Sequence, residues 1–502
     1  MKTRIIALAL ALVMLITALC ACTTGNGNNG DDSGTKDNGN TPGEPSGSVT
    51  DSSTKELGYY ETPDDLGTMN LGKTIRILCW NAEQPEFDIE NQTGDDITDA
   101  IFFKNQAVED RLGVILDFTT TPGDYKNRTP FIQQVETGKV SRDYDVVACY
   151  SLTSSSLALK GLSADLLELD YLDFDKPWWP DSLVGQATIN DKLYFASGDI
   201  STNLLHMMYA TFFNKTMFAE MADLQDVDPY KLVTTKKWTL QKFIKLCESV
   251  SGKTATGDIY GLSIKDINYD AFYTSCGFKS IVKSDDGLVI ADDFKAGSQK
   301  TIDFVDTLVG FVKGRYVEAV GGGSSAKTFA ENRALFTIDR SYLPISSPNM
   351  IEAGDNIKFG VLPCPMYDTK QKNYVTVLGF PYTMYQIASY SELQNESAAV
   401  LECLAAEGFR RVTPVLFEKT MKVRNTSDNN AAAMYDIIKS TIYIDLGRVF
   451  AMNFNEWTWK LFRNCLEKAK NSYISEYTAN VNNIQKTLDD EINPYFFGKK
   501  NN

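Results

Sequence analysis

Between residues 74 and 150, short apolar runs alternate with amphipathic stretches, and this alternation restricts the fold more than any other feature of the chain. Thr74-Ile75-Arg76-Ile77-Leu78-Cys79-Trp80 is an apolar run of the length of a buried strand. A helix is expected to open near Asp96, with Ile97, Ile101, Val108 and Leu112 on one face and Gly113 as its stop. Val114 to Phe118 reads as a second strand, Pro130 to Val135 as a second helix and Asp145 to Tyr150 as a third strand. Strand, helix, strand, helix, strand specifies an open α/β sheet, in which ligands lie beyond the C-terminal ends of the strands. The loops there carry Trp80, Asn81 and Glu83 after the first strand and Tyr150, Ser151 and Thr153 after the third.

Further along, ATINDKLYFASGDIS reads as a hairpin with Asn190-Asp191 at its turn and extended arms on either side. Helical patterns dominate beyond it, at Leu240 to Val250 and Thr301 to Val312, while Phe329 to Ile338 runs from helix into strand. Residues after position 57 number about 445, more than one hydrophobic core normally serves, so two lobes are expected.

The N-terminus is of a different kind. Lys2 and Arg4 precede an apolar run from Ile5 to Ala18, too short for a stable membrane span and suited to a signal peptide over 1–21. Leu19-Cys20-Ala21-Cys22 resembles the lipobox of bacterial lipoproteins, with Cys22 as the lipidated residue; bulky Leu19 makes Cys20 a poorer candidate. An ordinary secretory signal is the alternative. Residues 23–57 contain almost nothing apolar and cannot offset the entropy of ordering, so 22–57 reads as a lipidated Cys and disordered tether. Roughly 35 flexible residues span about 35 Å. Net charge is −16, becoming −18 once Lys2 and Arg4 are removed. So acidic a chain lacks the basic footprint that nucleic acid requires.

Catalytic and metal chemistry find little support. The seven cysteines after Cys22 are scattered and never form CxxC, which argues for buried thiols over a zinc or redox site; one disulfide is the alternative. His206 is the single histidine and sits in the apolar stretch NLLHMMYATFF without a GxSxG elbow, so a core or hinge-side position is expected. Gly321-Gly322-Gly323-Ser324-Ser325 lacks the phosphate-loop lysine and reads as a flexible loop. Asp95-Asp96, Asp285-Asp286 and Asp489-Asp490 lack calcium-loop spacing and read as turns or helix ends. Two remote carboxylates meeting in a cleft, as in a glycosidase, stay open at this level.

Four passages, in order, resemble the extracellular solute-binding proteins of ABC importers, the maltose-binding-protein type. Lys192-Leu193-Tyr194-Phe195-Ala196 with Tyr209-Ala210-Thr211-Phe212-Phe213-Asn214-Lys215 is similar to a "K-L-Y … Y-N-K" passage, and Lys237-Trp238-Thr239 with Phe243 to a "K-T-W" helix start. Thr328 to Asp339 is similar to an "F-x-x-G-x-A-A-M" passage, and Phe359-Gly360-Val361-Leu362-Pro363-Cys364-Pro365 to "G-V-x-P-x-P". A C-terminal aromatic turn, Asn455-Glu456-Trp457, leads into long helices with Ile474, Tyr477, Val481, Ile484 and Leu488 at helical spacing. Ser197 replaces the usual proline, and Arg340 and Ser341 replace glycines; extra length falls around Leu167 to Pro180 and near His206.

The resemblance implies a two-lobed α/β fold of the periplasmic-binding-protein type with a ligand cleft between lobes, lobe 1 comprising 58–209 and 378–444 and lobe 2 comprising 210–377 and 445–495. It implies a monomer that closes on its ligand with no chemical step, cofactor or metal, and passes it to the transmembrane subunits of a permease. Carbohydrate is the expected ligand, because sugar rings stack on aromatic faces while their hydroxyls bond polar side chains. By position Tyr342 and Trp457 are the candidate aromatics, with Trp80, Asn81, Glu83, Tyr150, Ser151, Asp339 and Arg340 beside them; core packing is the alternative for each aromatic. Trp178-Trp179 reads as an aromatic pair that either packs on lobe 1 or touches ligand. A peptide or other non-sugar solute, or a ligand-sensing surface lipoprotein, would share these features.

Overall fold

The computed structural model describes residues 70–82, 85–250, 252–254, 257–321, 324–422 and 429–498. The expected leader, Cys22, the tether and Glu83 lie outside the described residues. The strands are β1 (Lys73–Trp80), β2 (Val114–Thr121), β3 (Val146–Tyr150), β4 (Tyr209–Asn214), β5 (Gly252–Thr254), β6 (Gly257–Lys265), β7 (Ile281–Ser284), β8 (Gly287–Ile290), β9 (Val317–Val320), β10 (Ala334–Arg340), β11 (Phe359–Leu362), β12 (Thr376–Val377), β13 (Thr383–Ile387) and β14 (Ile442–Tyr443).

The alternation read between residues 74 and 150 forms the first sheet, of order β13-β3-β1-β2. β1 runs parallel to β2 and β3, and β13, returning from far along the chain, closes the edge antiparallel to β3. The helix Asp96–Leu112 connects β1 to β2. Asp95 caps it by accepting the Thr98 N–H at 3.0 Å. Gly113 ends it at φ 59°, left-handed geometry that glycine adopts without a Cβ penalty. Ile101, Val108 and Leu112 are buried and Ile97 is half-buried, the face expected from their spacing.

The second sheet, of order β11-β4-β10-β6-β5 with β9 on β6, is built from residues inserted between β3 and β13. Its strands are mixed: β9 and β10 run parallel to β6, whereas β4 runs antiparallel to β10 and β11. Two sheets flanked by helices give the two-lobed α/β architecture. Where the chain passes between them, Met208 bridges Leu378, the Gly379 N–H donates to Met207 O at 2.7 Å, and β12 pairs in parallel with β14.

Two expectations need correction. Asn190 and Asp191 do form the tight turn, with φ 49° and 57°, yet only Ile189 and Lys192 pair across it. The arms are not a ladder, because the helix Asp181–Ala187 supplies one side and Ala196 on the other pairs with Tyr385 of the first sheet. In the helix Tyr473–Thr487, Ile484 is buried but Ile474 is 51% exposed; Tyr473 is buried in its stead and donates its hydroxyl to Phe294 O at 2.8 Å. The seven described cysteines are all free and buried, as their spacing suggested. Asp95 and Asp96 sit at a helix start, Asp285 and Asp286 in the β7–β8 turn, and Asp489 and Asp490 in the helical turn Leu488–Ile492.

The unusual Trp178-Trp179 pair is resolved by Glu402, on the helix Gln394–Glu407 of the first lobe. Both indole N–H groups donate to its carboxylate at 2.9 Å, and all three side chains are buried. Burial disfavours the carboxylate more than the two indoles favour it, so the Glu402 pKa is pushed up to about 7. The folded state therefore holds this proton more tightly than the unfolded chain, whose glutamate titrates near 4.5, and stability falls as pH rises between those values. The expected outcome is that wild type, compared with Glu402→Gln by thermal unfolding, loses up to roughly 3 kcal/mol relative to the variant between pH 4.5 and 7. A stability difference independent of pH would show that Glu402 is ionised throughout.

Candidate ligand-binding cleft

β1 and β3 both end in an aromatic residue, and parallel pairing brings the two ends together. Trp80 and Tyr150 stack with ring centroids 5.3 Å apart and 23° between planes. Trp80 is fully buried and its indole N–H donates to Thr383 Oγ1 at 2.8 Å, so β13 fixes the ring. Phe380, at the crossing between sheets, meets Tyr150 edge-on at 6.0 Å. This aromatic group forms the floor of a cleft of about 520 Å³.

One wall comes from the loop after β2. Asp124, Tyr125 and Lys126 line it, and Tyr125 is 46% exposed. Asn81 organises this loop, its Oδ1 accepting the Gly123 N–H at 2.8 Å. Gly123 has to be glycine because a Cβ there would stand 2.6 Å from the Phe131 ring and 2.7 Å from Trp80 Cβ. The opposite wall comes from the second sheet: Lys265 ends β6, Ile267 follows, Arg340 ends β10 and Tyr342 follows. Arg340 donates through Nη2 to Phe380 O at 3.0 Å and holds Nη1 3.6 Å from Asp339 Oδ1. Tyr342 packs its ring 5.6 Å from that of His206. His206 is a core residue beside the cleft, and burial lowers its pKa to about 4, so it is neutral at neutral pH.

The fold thus brings Trp80, Tyr150, Arg340 and Tyr342 to one cleft, with Trp80 and Tyr150 reaching it from buried positions. Asn81 holds the neighbouring loop, and Asp339 engages Arg340. Ser151 is buried and donates its N–H to Tyr382 O at 2.9 Å, outside the lining. Trp457 is half-buried at the start of the helix Trp457–Glu467, also outside it. Asp124, Tyr125 and Lys126 were not singled out from sequence. The signal was present: the rule that places ligands at strand C-terminal ends applies equally to β2, and PGDY is a turn sequence displaying a tyrosine.

Beside Trp457, Glu456 ties the segment after β2 to the start of the helix Trp457–Glu467. It lies in left-handed geometry at φ 66°, a conformation costing a non-glycine residue on the order of 1 kcal/mol. Its carboxylate accepts the Tyr125 hydroxyl at 2.8 Å and pairs with Arg128 at 2.7 Å and Lys460 at 2.9 Å. Arg128 in turn lies 4.0 Å from the Tyr125 ring centroid, so cation and carboxylate together orient the exposed ring.

No protein-family model and no curated protein matches the sequence. Among solved structures, a cyclo/maltodextrin-binding protein complexed with maltotetraose is similar at TM-score 0.56 and 12% identity, covering 83% of this chain and 97% of that one. The GacH receptor of Streptomyces glaucescens, known unliganded and with acarbose, is similar at TM-score 0.54 and 12% identity, covering 84% and 99%. The maltose/maltodextrin-binding domain of Bdellovibrio bacteriovorus, bound to maltotriose, follows at TM-score 0.50 and 15% identity, covering 82% and 99%. The chain has the two-lobed fold of these binding proteins. At such identities the likeness establishes architecture; the cleft residues above are this chain's own.

Burial opposes ionisation of Glu456, but hydrogen bonds from Lys460, Tyr125 and Arg128 outweigh it and hold the carboxyl below its usual value of 4.5. The stabilisation this provides is present above pH 4.5 and is lost as pH falls through the lower folded value. Glu456→Gln is expected to cost about 1–3 kcal/mol in urea unfolding at pH 7, since it leaves Arg128 facing a neutral group. The deficit should shrink at acid pH; a deficit constant down to pH 3 would show that charge is not what Glu456 contributes.

Proposed function

We propose that this protein is the solute-binding component of an ABC importer, held at the outer face of the membrane by lipid on Cys22, and that it captures an oligosaccharide and delivers it to a permease. The observation that carries the reading is the cleft itself: about 520 Å³, lined by tyrosines and charged groups from both lobes. An exposed ring such as Tyr125 on one wall and a half-buried ring such as Tyr342 on the other suit a flat, hydroxylated ring bound between them. Solved proteins of the same architecture hold maltotetraose, maltotriose and acarbose, which supports carbohydrate as the ligand class.

The mechanism follows from the crossings. Ligand that touches Tyr125 and Lys126 on one wall and Lys265, Arg340 and Tyr342 on the other binds the closed arrangement better than an open one, and that differential affinity drives closure. Lobe limits at 209/210, 377/378 and 444/445 belong to this reading, supported by the Met208–Leu378 bridge and the β12–β14 pair. No helix among the described residues is long and apolar enough to cross a membrane, so attachment in this proposal rests on Cys22.

The test is thermal unfolding of the full-length protein in detergent against mono- and oligosaccharides, amino acids and peptides. A sugar present at 100 times its dissociation constant should add about 2.7 kcal/mol and be recovered unchanged. Tyr125→Ala and Tyr342→Ala should each weaken binding about tenfold, matching the ~1.4 kcal/mol of a stacked aromatic contact. A shift with peptides and none with sugars would replace the sugar reading, and consumption of the sugar would end the view that the protein only binds. For the anchor, Cys22→Ala should move the protein from the membrane fraction to the soluble fraction; retention of the variant in membranes would refute lipidation at that residue.

A further inference from the structure

The chain carries a net charge of −16, yet its cleft is lined by three cations, Lys126, Lys265 and Arg340, and one carboxylate, Asp124. The cations are not equivalent. Arg340 is engaged by Phe380 O and Asp339. Lys126 and Lys265 are exposed and make no ion pair among the described residues. Asp124 is tied into its own turn, Oδ1 accepting the N–H of Lys126 at 3.0 Å and of Asn127 at 3.1 Å, and the Asn127 side-chain amide at 2.8 Å. Asp266 and Asp339 are half-buried outside the lining.

The two ammonium groups, neither in an ion pair among the described residues, come from opposite walls, Lys126 from the loop after β2 and Lys265, whose charge also acts on the neighbouring Asp266, from the end of β6. Closing the lobes around a neutral ligand would crowd two like charges and strip them of water. An anion between them turns that repulsion into two attractions and makes closure depend on its presence. We propose that the ligand is an oligosaccharide bearing an anionic group, a carboxylate or a sulfate, which Lys126 and Lys265 neutralise from the two lobes. This rests on the solute-binding reading above and narrows its substrate class. Lysine is a point charge without the bidentate fork of arginine, so the site selects for negative charge and not for the planar shape of a carboxylate.

Isothermal titration of the full-length protein in detergent, at low salt, compares three ligands of equal length: maltotetraose, tetragalacturonate and a sulfated tetrasaccharide. At least one anionic sugar is expected to bind ten times or more tighter than maltotetraose, to weaken as salt rises, and to identify the anionic group. Lys126→Gln and Lys265→Gln, both exposed and outside the core, should each cut the anionic-over-neutral preference at least tenfold. Maltotetraose binding as tightly as both anionic sugars overturns the inference while leaving the solute-binding function intact. A strong anionic preference unchanged in both lysine variants overturns the assignment of these residues. Failure of all three sugars, with an amino acid or peptide bound instead, removes the inference together with the sugar reading on which it stands.

Discussion

The arrangement of the molecule depends on three short chain passages lying side by side between two sheets. They are too short for a full ladder: β12 and β14 have two residues each, and Met208 and Leu378 form a single bridge. Backbone carbonyls left over at such a place need donors, and arginines supply them. Arg448 donates to Leu378 O at 3.3 Å, and Arg340 donates to Phe380 O. Arg448 also pairs with the buried Asp270 at 2.9 Å and lies 4.4 Å from the Phe380 ring centroid. Arg463 completes the set, its Nε donating to Asp270 Oδ1 at 2.7 Å. Ion pairs so buried contribute little net stability, because desolvation offsets attraction, but they admit only a narrow set of geometries. They lock the helices that flank the second sheet to one another, and the Arg448 bond to Leu378 O ties that unit to the crossing.

The same economy of polar groups appears in the aromatic floor. Trp80 could not be buried without a partner for its indole N–H, and Thr383 of β13 provides one. The last residues of β1 and β3 are thereby held rigid, Tyr150 stacks on Trp80, and Phe380 abuts Tyr150 from the crossing. Floor and crossing are one packed unit, because Phe380 at the crossing meets Tyr150 of the floor. Glu456 ties the segment after β2 to the helix Trp457–Glu467 and holds its left-handed backbone conformation while bonding three partners.

Particular residues show how far the sequence could be read. Ile101, Val108 and Leu112 keep a 3.6-residue period because a half-exposed helix buries one face, so that helix and its caps were legible. Trp80 and Tyr150 were legible as cleft residues because strand ends in open α/β sheets point toward the crevice, whereas Arg340 and Tyr342 were legible only through the resemblance to solute-binding proteins. Tyr125 and Lys126 were equally close to a strand end but lie in a turn with no periodicity, and only the hydrogen bond of Tyr125 to Glu456, 331 residues away, reveals how that loop is held. The Asn190-Asp191 turn was local and correctly placed; its arms were not, since Ala196 pairs with Tyr385 and strand partners are chosen by tertiary packing.

By itself the sequence determined what short-range physics decides: the order of strands and helices, the caps, the apolar faces, the burial of its cysteines and the acidic balance of the whole. Only the tertiary structure decided which distant groups meet. Glu402 between two indoles and Asp270 between two arginines depend on contacts 178 to 224 residues apart, and Lys126 and Lys265, without an ion pair among the described residues, reach one cleft from opposite walls. Electrostatic and hydrogen-bonding character belongs to such juxtapositions, since a charge acquires its energetic meaning from its burial and its neighbours, neither of which a linear chain contains.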